Sequence, residues 1–198
     1  MRLLMRKMLL PLLLAAPLSA CVSFGAKVPE RLLSLTAQSS LEAGAARSTA
    51  TGRSLVVAVP ETPQMLETNR VPVQVDDTSV AYVKDALWVD QPGRLFQRLL
   101  SETIAAKTNR VLLDPRQFSG DSSTQLTGEL LRFGIDARTL EAVVTYDATQ
   151  RGVDGTTIMK KRFSASRPVS AIKAMRVGEA LNDAANDVAA QVASWVGE

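Results

Sequence analysis

Residues 139–147 read TLEAVVTYD. Leu140, Ala142, Val144 and Tyr146 fall on one side of an extended chain, with polar or smaller residues between them. A period of two marks a strand with one buried face, as antiparallel sheets have. The neighbouring segments repeat the theme. Gln125–Ile135 precedes it across a turn-like Asp136-Ala137, and Thr156–Ser164 follows it across Gly152–Gly155. The three predict an antiparallel meander. After it, Val177, Leu181, Ala184, Ala185, Val188, Val192 and Trp195 recur at three-to-four spacing. Glu179, Asn182, Asp183, Asn186, Asp187 and Gln191 lie off that stripe, so the segment predicts an amphipathic helix laid on the sheet.

Working back toward the N-terminus, Val111–Leu113, closed by Asp114-Pro115, reads as a short buried strand. Before it, Leu95, Phe96, Leu99, Thr103 and Ile104 give a second helix, with Asp90 as its expected cap, Pro92 in its first turn and Lys107 and Asn109 at its far end. Val71–Val75 and Val80–Val83 flank Asp76-Asp77 as a hairpin, and Leu55–Val59 is a strand closed by Pro60. Thirteen of the eighteen residues in Thr36–Arg53 are Ala, Ser, Thr or Gly, which predicts a mobile loop. Glu30–Thr36 (ERLLSLT) reads as a first strand. The order predicts one α+β domain: a mixed, mostly antiparallel sheet with two helices packed on one face.

Composition removes much chemistry. The 198 residues contain no histidine and one cysteine, Cys21. Histidine-dependent nucleophilic sites and the common zinc sites are therefore out of reach, and no GxxxxGK or GxGxxG phosphate cradle occurs. Acid and base work by a carboxylate pair survives as a catalytic possibility. The formal net charge is +3, but Arg2, Arg6 and Lys7 supply it; without those three, 20 basic residues face 20 acidic ones. A neutral domain carries no nucleic-acid footprint.

Those three cations precede an apolar run, Met8–Leu18. Eleven helical residues would span ~16 Å, short of the ~30 Å hydrocarbon core of a bilayer. The segment has the n-region and h-region of a secretory signal peptide. Leu18 is a poor −3 residue for ordinary signal peptidase, whereas Leu18-Ser19-Ala20-Cys21 resembles the bacterial lipobox. That resemblance implies cleavage before Cys21, a thioether-linked diacylglycerol on its sulfur and N-acylation of the new terminus. Residues 1–20 are then a lipoprotein signal peptide, 21–29 a lipidated tether and 30–198 the domain. Several acyl chains hold a protein stably on a membrane. Val22 stands at the +2 position, where Asp often retains lipoproteins at the inner membrane, and so favours the inner face of the outer membrane.

Two features of the domain admit a binding role. Trp88, with Tyr82 nearby, is an aromatic pair of the kind that anchors interfaces; the alternative is a staple fixing the helix start on the sheet. Lys160-Lys161-Arg162 could face anionic headgroups or a partner, or guard an edge strand against aggregation. Phe118–Thr124 (FSGDSST) reads as a turn-rich loop.

Taken in order, the lipobox at Cys21, the early RLLSLT at 31–36, Leu55–Pro60, WVDQPGRLFQRLLSETI at 88–104, VLLDP at 111–115, the three long strands and the alanine-rich last helix resemble the ABC-type transport auxiliary lipoprotein family. Residues 88–104 are the most specific piece. Relatives often have a tyrosine pair where this chain has Leu32 and Leu33, which preserves packing and removes any aromatic contact there. The resemblance implies a non-enzymatic docking or assembly subunit at the outer membrane, without cofactor or metal. Its partners would be an MCE-domain protein and the ABC transporter that move phospholipid or other hydrophobic molecules between membranes. A homo-oligomer, such as a ring around a channel end, is left open. Two other readings stand beside it: an assembly lipoprotein for another envelope export machine, and a lipid-anchored periplasmic hydrolase using two acids a few ångströms apart.

Overall fold

The computed structural model describes residues 29–48, 54–114 and 124–197. Within them lie seven strands, two α-helices and a short 3-10 turn at Gln64–Leu66. The strands are β1 (Ser54–Val57), β2 (Arg70–Gln74), β3 (Val80–Leu87), β4 (Val111–Leu113), β5 (Thr124–Asp136), β6 (Glu141–Arg151) and β7 (Ile158–Pro168). The helices are α1 (Pro92–Lys107) and α2 (Ala174–Gly197).

The meander is the spine. β5, β6 and β7 pair antiparallel in sequence, with Leu130 opposite Tyr146 and Tyr146 opposite Phe163. The other edge of β5 is shared along its length. β1 runs parallel to its start (Leu55 opposite Thr124), Glu61 bridges Glu129 midway, and β2 runs parallel to its end (Val73 opposite Ile135). β4 pairs parallel with β1, and β3 antiparallel with β2. The sheet is mixed and both helices lie on one face, as expected from the sequence.

Alternation decides which face they cover. Ala142, Val144, Tyr146 and Ala148 on β6, with Leu126, Leu130, Phe133 and Ile135 on β5, are fully buried beneath the helices. Each buried Leu, Ile or Phe of this kind is worth ~1.5–3 kcal/mol relative to exposure. Phe96 of α1 stands edge-on to Tyr146 at 5.3 Å and to Phe133 at 6.5 Å between ring centroids. Gly128 makes room for Tyr146: a Cβ there would lie 2.7 Å from the phenol ring and would strike the Asp147 carbonyl. The Tyr146 hydroxyl donates to the Thr127 carbonyl at 3.0 Å, and burial pushes its pKa up.

Several local expectations give way. Glu30–Thr36 is no strand; only Leu33 pairs, in a single parallel bridge to Trp88. Asp90 does not cap α1. Gln91 is the N-cap residue, and Asp90 instead accepts from the Gln91 amide at 2.8 Å and pairs with Arg98. Leu140 leaves the buried side of β6, because it sits in the β5–β6 turn at φ +54° and is 46% exposed. β7 begins at Ile158 rather than Thr156, because the Asp154 carboxylate takes the amides and hydroxyls of Thr156 and Thr157 into the turn. The three residues of β4 are half-buried rather than buried.

Candidate functional site

The N-terminal segment is strapped along α2. Leu33 accepts from the Val89 amide at 2.9 Å and donates its own to the Leu87 carbonyl at 2.7 Å. Its side chain fills the notch over Gly178, where a Cβ would come within 2.6 Å of Leu33 Cδ2. One helical turn on, Asn182 Oδ1 accepts from the Thr36 amide at 2.8 Å. A further turn on, Asn186 Oδ1 accepts from the Gln38 amide at 2.8 Å, and its Nδ2 donates to the Thr36 carbonyl at 2.9 Å. Positions 178, 182 and 186 share one helix face by their spacing of four. An extended chain cannot satisfy its own amides, so two asparagines do it. Thr36–Arg53 thus begins as a fixed strap rather than a mobile loop, and Arg47, near the end of its described part, donates to the Thr108 carbonyl.

Asn186 was expected to face solvent. It is 4% exposed and satisfied on every side by the strap and by the Asn182 carbonyl. Sequence spacing offered a signal, since two asparagines four apart border an otherwise apolar stripe.

Cys21, the expected lipidation site, lies outside the described residues, as do the signal peptide, nearly all of the tether and most of Phe118–Thr124. The structure separates the two aromatic candidates. Trp88 is 1% exposed and packs against Phe133 at 5.4 Å, so its ring acts in the core; its indole N–H has no partner among the described residues. Tyr82 is half-buried on β3, with the Arg70 guanidinium 4.2 Å above its ring. Of the pair, Tyr82 alone keeps a face toward solvent.

The sheet face away from the helices is polar. Glu129, Asp147 and Arg162 stand in one row across β5, β6 and β7. Arg162 grips Asp147 through two contacts of 2.6 and 2.7 Å, with Lys160 at 4.0 Å. In the adjoining row, the Thr145 and Ser164 hydroxyls share a hydrogen bond of 2.9 Å. Lys160-Lys161-Arg162 lies on β7, which among the described residues pairs only with β6 and forms an edge of the sheet. That is the place where charge deters edge-to-edge pairing.

Both well-covered carboxylates are matched to arginines. The Arg138 and Arg132 guanidinium groups hold Asp136 down to a pKa of about 2, and Arg162 lowers that of Asp147. A general acid needs a raised pKa, from burial or a second carboxylate; these two acids are stabilised as anions. No group of three or more metal-ligating side chains occurs among the described residues, and none of the described helices is long and apolar enough to cross a membrane.

Fold and strap together define an α+β domain with its N-terminal lead fastened along α2. The family described as ABC-type transport auxiliary lipoprotein component matches residues 34–193, and the chain belongs to that family. A crystal structure from Xanthomonas campestris has the same fold, with a TM-score of 0.67 and 16% identity over 84% of this chain and 95% of that one. A second crystal structure, of an uncharacterized protein, reaches 0.63 at 15% identity over 74% and 94%. No curated protein sequence matches significantly.

Proposed function

We propose that this chain is a non-catalytic docking or assembly subunit of an ABC transport system that includes an MCE-domain protein and moves lipid or another hydrophobic molecule between membranes. Cys21 carries the acyl anchor, and the domain stands in the periplasm at the inner face of the outer membrane. Membership of the transport auxiliary family over residues 34–193 carries this reading. The strap supports it: residues 33–38 are fastened to α2, so a lipid anchor a few residues before them would orient the domain as well as retain it. Anchoring raises the effective concentration near a partner confined to the same envelope. Tyr82 on β3 is the residue proposed to meet that partner.

The test replaces Cys21 with Ala. The variant should leave the membrane fraction and appear soluble in the periplasm, while the wild-type chain fractionates with the outer membrane. Wild-type chain found in the inner membrane would move the docking site there, and a Cys21→Ala chain that stays membrane-bound would remove the anchor from the account.

A further inference from the structure

The strap leads to a surface that the proposed function leaves unused. The strap runs from Leu33 toward Gln38 as α2 runs from Gly178 toward Asn186, so its first residues lie beside the N-terminal end of α2. Several large apolar side chains lie open there. Leu140 is 46% exposed and its carbonyl accepts from the Val169 amide; Ile172, three residues on, is 37% exposed. Met175, in the first turn of α2, is 60% exposed. One turn beyond it is Gly178, covered by Leu33, whose neighbour Leu32 is 45% exposed. These residues lie along one end of the molecule, from the β5–β6 turn to the start of the strap, and form an exposed ledge there. Arg31, Lys173 and Arg176 are exposed along it; Arg176 pairs with Glu179 at 3.1 Å.

We infer that this ledge is the face the domain lays on the lipid bilayer that holds its anchor, with the apolar side chains at headgroup depth and the cations on lipid phosphates. The inference rests on the lipidation of Cys21. Length and direction select the bilayer as occupant. Cys21 is eight residues before Pro29, so the tether reaches at most about 28 Å when fully extended. The β6–β7 hairpin tip holds another exposed apolar set, Val153, Ile158 and Met159. It lies at the far end of the molecule, beyond Phe163 and Trp195 near the end of α2. α2 has 24 residues and spans about 36 Å by itself. A tether shorter than α2 keeps the ledge within reach of the membrane and prevents the domain from standing on its hairpin tip. Apolar groups flanked by cations are the pattern that seats on a phosphate-bearing interface.

The test uses the full mature lipoprotein in vesicles of phosphatidylethanolamine and phosphatidylglycerol. Cys21 is consumed by the anchor, so single cysteines at Met175→Cys or Ile172→Cys, and at Ile158→Cys as the distal control, can carry a polarity-sensitive dye. Brominated lipid should quench the dye at 172 and 175 and spare it at 158. Equal quenching at both poles, or water-like emission at 172 and 175, overturns the inference. Burial of 172 and 175 in whole envelopes but not in pure lipid would assign the ledge to a protein and also overturn it. Intact mass separates the two readings: a mature chain without diacylglycerol ends the anchor and the ledge together, whereas a lipidated chain with an unquenched ledge ends only the latter.

Discussion

Leu33 sits in the space that a side chain at Gly178 would need: a Cβ at 178 would stand 2.6 Å from Leu33 Cδ2. Glycine inside a helix normally weakens it by ~1 kcal/mol relative to alanine. Here that weakness is what lets the strap lie close. Gly178→Ala should therefore loosen residues 29–48 while α2 persists, seen as faster proteolysis of that segment with unchanged far-ultraviolet circular dichroism. In a Leu33→Ala background the sign should reverse, and Gly178→Ala should raise the melting temperature. Additive effects in that double-mutant cycle would mean the two residues do not meet.

Asn186 is the buried fastening of the strap. Asn186→Leu removes its bonds to the Gln38 amide and the Thr36 carbonyl. Leaving such groups unsatisfied costs ~1–3 kcal/mol. Chemical denaturation should show that loss, and amide exchange at Gln38 should speed up. An unchanged exchange rate there would rule out the fastening.

Trp88 and Tyr82 should part company under substitution. Trp88→Ala empties a core site against Phe133 and should lower stability by roughly 3–5 kcal/mol. Tyr82→Ala, on a half-exposed strand face, should leave the denaturation midpoint nearly unchanged while weakening crosslinking to the transport partner. A stable Trp88→Ala chain would contradict the packing described for it.

Asp136 gives the fold an acid limit. Its carboxyl is held at a pKa of about 2 against an ordinary 3.8, chiefly by the Arg138 guanidinium. The lowered value means that the ion pairs stabilise the fold fully above pH ~4 and that this stabilisation fades as pH falls through about 2. Arg138 is 52% exposed, so solvent screening keeps the contribution small. Asp136→Asn should lower stability at pH 7 and flatten the stability profile between pH 4 and 2. A parallel loss at every pH would assign the effect to something other than ionisation.

The sheet and both helices were readable because their patterns are local. Ala142, Val144 and Tyr146 alternate, and Val177 through Trp195 recurs at helical spacing, so each element announces its buried face without knowledge of its neighbours. The strap could not be read this way. RLLSLT has the composition of a strand, yet one residue of it pairs. Its place is decided by Gly178, Asn182 and Asn186, some 145 residues away in the chain. Leu140 was misplaced for a related reason: the alternation continues through it, but the turn begins there and its positive φ swings it outward. Of the site, the lipobox is a motif of contiguous residues and is legible as such. The course of the strap and the exposed side chains beside its start exist only once α2, the β5–β6 turn and residues 33–38 have come together.

The central claim is that this domain docks a transport partner while held at a membrane by Cys21. Crosslinking the tagged wild-type chain in living cells, followed by purification from detergent-solubilised envelopes and identification of the crosslinked product, tests it most directly. The account predicts an MCE-domain protein crosslinked to the wild-type chain, with much less of it crosslinked to Tyr82→Ala. Recovery of the folded, lipidated chain with no MCE-domain protein attached would contradict it.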